Sequence, residues 1–121
     1  MLYISLFPQL LIGFYFLFFG LWNGYHWKPT IEAMVSKKIP FASPLLAFGI
    51  LLESIAGTAI ILGIGIKIAA AVLIPFDLVA VCLFHNFWCM QGEIRRLNMI
   101  IFISNTTATL GALILLLVGS I

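Results

Sequence analysis

Four long apolar segments dominate this chain, at residues 2–22, 44–62, 67–87 and 97–118. About 20 consecutive apolar residues are enough for a helix to cross the hydrocarbon core of a bilayer. Only 8% of the 121 residues are charged, whereas a soluble domain carries about 25%. We therefore predict an all-α integral membrane four-helix bundle that forms a single domain over residues 1–121.

The connector between the first two segments, residues 25–43, is polar and predicts one further short helix. Ile31, Met34 and Val35 recur at helical spacing, whereas Glu32 and several lysines occupy other positions. A helix with one apolar face and one charged face lies in the headgroup region of a bilayer. We expect this interfacial helix on one side of the membrane, called the connector side below, together with the polar loop at residues 91–96.

Three of the apolar segments each contain a polar side chain well inside the segment: Glu53, Asp77 and Asn105. A charged side chain at bilayer depth costs about 3 kcal/mol even on the mildest insertion scale. With a helical rise of about 1.5 Å per residue, all three lie about 12–15 Å below the connector side. Gly49 and Gly57 share a helical stripe with Glu53, and such stripes face neighbouring helices. We therefore predict one polar layer inside the bundle.

This polar layer has a structural and a functional interpretation. In the structural one, protonated carboxyl groups hydrogen-bond to polar neighbours and set the helix register, because unpaired polar groups are not tolerated in lipid. His85, close to Trp88, would then only anchor the third helix at the interface. In the functional one, the layer binds the head of a ligand between the second and third helices.

The functional interpretation assigns a role to each polar residue. Glu53 would accept a proton, and His85 would relay it to the connector side, because histidine is the side chain that titrates near neutral pH. The remaining ligand contacts would be Asp77, Asn105, Asn86 and Trp88. Of these, Trp88 would pack at the entrance of the site.

Several common chemistries lack their motifs in this sequence. The chain has no CxxC pair, no paired helical histidines for haem and no glycine-rich phosphate loop, and we predict no metal site. On an unbroken helix Cys82 and Cys89 would be about 10 Å apart, too far for a disulfide. The net charge of +2 is too small to indicate a nucleic-acid partner. The sequence contains no complete redox centre, so it leaves enzymatic activity undecided.

Short motifs are distributed along most of the chain: Gly13, Phe19, Gly20 and Leu21; Met34 with Ile39-Pro40; Leu52-Glu53, Gly57 and Gly63; His85-Asn86-Phe87-Trp88; and Asn105 with Gly111. In these motifs the chain resembles the DoxX family of small four-helix bacterial membrane proteins. The resemblance implies association with membrane redox systems, such as quinol oxidase, thiosulfate–quinone or oxidative-stress complexes. It also implies a multi-pass location in the bacterial inner (cytoplasmic) membrane, a redox partner protein and a quinone as the candidate ligand.

The chain departs from the family pattern at two positions. Members of the family often have a lysine near the end of the first helix, where this chain has Leu21-Trp22-Asn23-Gly24. They commonly have another lysine before the fourth-helix asparagine, where this chain has Ser104. If those lysines bind an anion or pair with the carboxylates, this chain lacks that partner.

Three functions fit these features. The first is a redox-complex membrane subunit that binds a quinone or similar apolar ligand near Glu53, Asp77 and His85. The second is a non-catalytic structural or docking subunit, in which the polar layer only supports the fold. The third is a small transporter, which would require a homo-oligomer because four short helices rarely enclose a pore in a monomer.

The distribution of basic residues predicts the orientation in the membrane. The connector side carries Lys28, Lys37, Lys38, Arg95 and Arg96. The other side has only Lys67, so the positive-inside rule puts the connector side in the cytoplasm and both termini outside. A periplasm-active reporter enzyme fused after Ile121 should therefore be active, and a cytoplasm-active reporter should be silent. The reverse pattern would show that the orientation is inverted.

Overall fold

A computed structural model of the chain describes the backbone of residues 2–119 and the side chains of residues 6–119. This part of the chain is helical and contains no strand. The helices are α1 (Leu2–Tyr25), α2 (Trp27–Ser36), α3 (Ala42–Leu62), α4 (Ile66–Phe84), α5 (Gly92–Ser104) and α6 (Leu110–Gly119). A 3-10 turn at Phe87–Cys89 follows α4, and a π-helical turn at Asn105–Thr109 joins α5 to α6.

Four of the described helical stretches are long and apolar enough to cross a membrane: Leu6–Tyr25, Ala42–Leu62, Ile66–Cys89 and Gly92–Gly119. They confirm the predicted all-α membrane bundle. The fourth stretch begins at Gly92 rather than at residue 97, because its charged first turns are helical too. Glu93 lies in the first turn, where a negative charge interacts favourably with the helix dipole and stabilises the helix. Its carboxylate also pairs with Arg96 at 2.9 Å.

The short helix predicted between the first two spans is α2, and Met34 of its apolar face packs against the bundle, whereas Val35 is 60% exposed. Met34 is only 2% exposed, whereas Glu32 on the same helix is exposed. The chain then turns into α3 through two residues with left-handed backbone conformations, Lys38 (φ 61°) and Phe41 (φ 54°). This turn sets how α2 lies relative to the spanning helices.

The closest helix contact is between α1 and α3, at Gly13 and Gly57. A Cβ atom on Gly57 would lie 2.7 Å from the Leu17 backbone nitrogen and 2.8 Å from the Gly13 carbonyl oxygen. Such an approach of two backbones requires glycine. Gly20 and Gly24 on α1 also have the four-residue spacing that permits a close approach. Gly20 faces Ser54, but a Cβ atom on Gly24 would meet nothing nearer than 3.9 Å.

The hydrophobic core is concentrated at the end of the bundle where α3 turns into α4. Its buried members are Phe16, Ala56, Ile60, Ala69, Leu73 and Leu113. They come from α1, α3, α4 and α6, so all four spans meet there. Towards the connector side α1, α3 and α4 line a large cavity instead.

Candidate functional site

A cavity of about 870 Å³ lies beneath α2 and is walled by α1, α3 and α4. Small-molecule sites in proteins have volumes of about 300–1,000 Å³ and are mostly apolar, with a few convergent polar groups. The polar and charged side chains that line this cavity are Tyr15, Asn23, Thr30, Lys37, Glu53, Asp77, His85 and Asn105. The rest of its wall is apolar, with Phe16, Phe19, Met34 and Phe76 among the large side chains.

Glu53 lies on α3 where that helix is flanked closely by α1 and α4. One turn earlier, Gly49 faces Phe76 of α4, and a Cβ atom there would be 3.3 Å from the ring. One turn later, Gly57 faces α1, as described above. The glycine stripe thus brings a different neighbouring helix close on each side of Glu53. Its half-buried side chain lines the cavity and interacts with Asn23 of α1.

Asp77 is the most enclosed of the polar side chains in the cavity, with 6% of its surface exposed. Its Oδ2 atom is buried and has no hydrogen-bond partner among the described residues. Pro75, two positions earlier, lies inside α4 and removes one backbone N–H donor from that helix. Asp77 and Glu53 lie close enough to interact electrostatically, so two carboxyl groups from adjacent helices line the same space.

Asn105 begins the π-helical turn of the fourth span and is half-buried at the cavity wall. Its Nδ2 atom donates to the Ile101 carbonyl at 3.0 Å, and its Oδ1 accepts from the Tyr15 hydroxyl at 3.4 Å. The neighbouring hydroxyl groups donate to carbonyls of their own helix: Ser104 to Ile100, Thr106 to Phe102, and Thr107 to Ile103. This polar run is therefore largely satisfied within its own span, and Asn105 is the residue of the run that lines the cavity.

His85 lines the connector-side end of the cavity just after α4 ends. Its Nδ1 atom lies 2.7 Å from Asn98 Oδ1, and the Asn98 amide nitrogen donates to the Ile94 carbonyl. Because a carbonyl oxygen only accepts, Nδ1 is the donor in this contact and carries a proton. In neutral His85 the other ring nitrogen, Nε2, is then free of its proton and can accept one.

Asn86 and Trp88 do not line the cavity. Asn86 contacts Lys37, which does line the cavity: the Asn86 Oδ1 atom accepts a hydrogen bond from Lys37 Nζ at 2.9 Å. The ring of Trp88 packs against Phe87 and Phe102, with centroids 5.4 and 5.6 Å away, and it remains 54% exposed. The 3-10 turn that carries Trp88 directs the ring towards the fourth span.

Four polar residues of the cavity were not predicted: Tyr15, Asn23, Thr30 and Lys37. The first two had a signal in the sequence, since Tyr15, Phe19 and Asn23 are spaced four apart on one face of α1 and all line the cavity. Within the described part of the chain, no group of three His, Cys, Asp or Glu side chains is arranged to hold a metal ion.

The fold and the cavity define a four-helix integral membrane protein with a polar layer between its helices. A model of the DoxX family matches residues 6–86, about two thirds of the chain, and the chain therefore belongs to the DoxX family. The match ends at Asn86, so Asn105 and Gly111 lie outside the matched region. Searches of curated proteins and of solved structures found no match.

Proposed function

We propose that this protein is the membrane subunit of a redox system and binds a quinone, or a similar apolar ligand with a polar head, in the cavity between α3 and α4. The observation that supports this is the pair of carboxyl groups, Glu53 and Asp77, in one large and otherwise apolar cavity. A register-setting polar contact needs no such volume, and an empty apolar cavity needs no carboxyl groups. We further propose the bacterial inner membrane as its location, from the family.

The proposed chemistry is proton transfer coupled to quinol oxidation by a partner. Oxidation of a quinol to a quinone releases two electrons and two protons, and the electrons pass to the redox centre of a partner protein. Glu53 accepts the two hydroxyl protons one after the other. His85, whose Nε2 is the accepting nitrogen in the neutral ring, relays the first to the connector side before Glu53 accepts the second. Asp77 hydrogen-bonds to the ligand head through its unpartnered oxygen.

Substituting Glu53→Gln tests the proposal, because glutamine keeps the shape of the side chain and removes its charge and its proton-accepting capacity. A hydrogen bond to a charged group contributes about 1.5–3 kcal/mol. We therefore expect quinol binding to weaken by about 10-fold to 100-fold. The measurement is equilibrium binding of a short-tailed quinol to the purified protein in nanodiscs, together with extraction and chromatography of quinone carried through purification.

Glu32→Gln is the matched control, since Glu32 is exposed on α2 and does not line the cavity. It should leave quinol binding unchanged. If wild-type protein carries no quinone and instead co-purifies with another membrane protein, the docking-subunit function replaces this one. Flux into liposomes that depends on Glu53 or Asp77 would favour the transporter.

A further inference from the structure

Lys37, the residue after α2, is a half-buried cation at the connector-side end of the cavity. Its ammonium group donates one hydrogen bond, to Asn86 Oδ1 at 2.9 Å. Among the described residues the only ion pair joins Arg96 to Glu93, so none of their carboxylates lies within 4.0 Å of the Lys37 ammonium group. An ammonium group has three N–H donors. Two of them, and the positive charge, are left for a ligand.

The cavity extends from Lys37 to side chains that the bundle leaves uncovered. Leu45 and Phe48 of α3 are 43% and 61% exposed, and Leu83 of α4 is 37% exposed, yet all three line the cavity. In a bilayer these side chains face acyl chains. The cavity therefore opens sideways to lipid between α3 and α4, with a cation at its connector-side end.

The depth of Lys37 matches that of lipid headgroups. It directly follows α2, whose Met34 packs on the bundle and whose charged face includes the exposed Glu32. A helix of this kind lies at the level of the phosphates. A cation at that level above an apolar groove is complementary to one lipid molecule, with the head at Lys37 and a chain along α3 and α4.

We propose that Lys37 and Asn86 bind the phosphate of an anionic phospholipid, one acyl chain of which lies in the groove between α3 and α4. Basic pockets between transmembrane helices commonly bind anionic lipids on the cytoplasmic side. Lys37 donates to a phosphate oxygen while its bond to Asn86 holds it in position. The side-chain amide of Asn86 supplies further N–H donors through Nδ2, which bonds to no residue that the structure describes. The phosphate site lies at the connector-side end of the cavity that Glu53 also lines, and binding of the lipid does not depend on redox chemistry.

Binding of phosphatidylglycerol to the purified full-length protein in a neutral detergent tests the proposal, measured by native mass spectrometry. A basic side chain contributes about 1 kcal/mol to binding of anionic lipid, which is about a fivefold change in affinity. Lys37→Gln should weaken phosphatidylglycerol binding by about that factor, and Lys37→Arg should retain it. Diacylglycerol, which has the same chains without the phosphate, should bind no differently to wild type and Lys37→Gln. Circular dichroism of each variant establishes that it is folded.

Lys38→Asn is the matched control, because it removes the same charge one residue away. Lys38 is exposed and does not line the cavity, and asparagine tolerates its left-handed backbone conformation (φ 61°). This variant should bind phosphatidylglycerol as wild type does.

Equal losses in Lys37→Gln and Lys38→Asn would mean that only surface charge attracts the lipid, and would overturn the proposal. Displacement of the lipid by glycerol phosphate at the same concentration would also overturn it, because a free anion would then suffice. Glu53→Gln should retain phosphatidylglycerol binding. The lipid proposal can therefore hold even if the quinone proposal fails.

Discussion

Replacing Gly57 with alanine is expected to destabilise the bundle by about 1–3 kcal/mol, the usual range for overpacking at a tight contact. The new methyl group would lie 2.7 Å from the Leu17 nitrogen and 2.8 Å from the Gly13 carbonyl oxygen. Both are backbone atoms of α1, which cannot rotate aside as a side chain does. Helices α1 and α3 must therefore separate along their whole contact. Reversible unfolding in detergent micelles, followed by circular dichroism, measures the loss.

Gly111→Ala is the control for this experiment, because it is the same substitution in another spanning helix. A Cβ atom at Gly111 meets no atom within 4 Å. Alanine favours helix over glycine by about 1 kcal/mol, so this variant should be as stable as wild type or more so. Equal destabilisation by both substitutions would mean that the α1–α3 approach is not a point of tight packing.

The spans and the interfacial helix follow from hydropathy and spacing alone, because a bilayer requires about 20 apolar residues per helix. The limits of that rule appear at Gly92, where the last span begins earlier than the apolar segment does. The apolar segment predicted from hydropathy begins only after Arg95 and Arg96. Charged residues at the membrane surface can nevertheless belong to the same helix without penalty. The exposed pair of Glu93 with Arg96 lies within these first turns and adds only a little to the stability of the helix.

The shared depth of Glu53, Asp77 and Asn105 could be calculated from helical rise, and all three do line one cavity. The rotation of each helix about its axis was harder to predict, because spans that are apolar on every side have no amphipathic face to orient them. For α3 the glycine stripe predicted which face of the helix turns towards its neighbours. Nothing in the sequence indicated that Lys37 would turn towards the cavity, since its position depends on left-handed turns at Lys38 and Phe41, which are not glycines.

Replacing Asp77 with leucine should separate the structural and the ligand-binding interpretations of the polar layer, because they predict opposite changes in stability. Asp77 Oδ2 is buried without a partner, and such a group costs about 1–3 kcal/mol. If the carboxyl group exists to bind a ligand head, leucine should stabilise the empty protein by about that amount. The same variant should bind the short-tailed quinol at least about tenfold more weakly, the equivalent of one hydrogen bond to a charged group.

Ser54→Ala is the matched control, since Ser54 Oγ is the other described side-chain atom that is buried without a hydrogen-bond partner. Ser54 faces Gly20 of α1 and does not line the cavity. Alanine there should also raise stability, but it should leave quinol binding unchanged. Destabilisation of the bundle by Asp77→Leu, with quinol binding intact, would instead show that the carboxyl group of Asp77 holds the helices in register. Unfolding in micelles and quinol binding in nanodiscs, measured on both variants, therefore decide whether the polar layer supports the fold or receives a ligand.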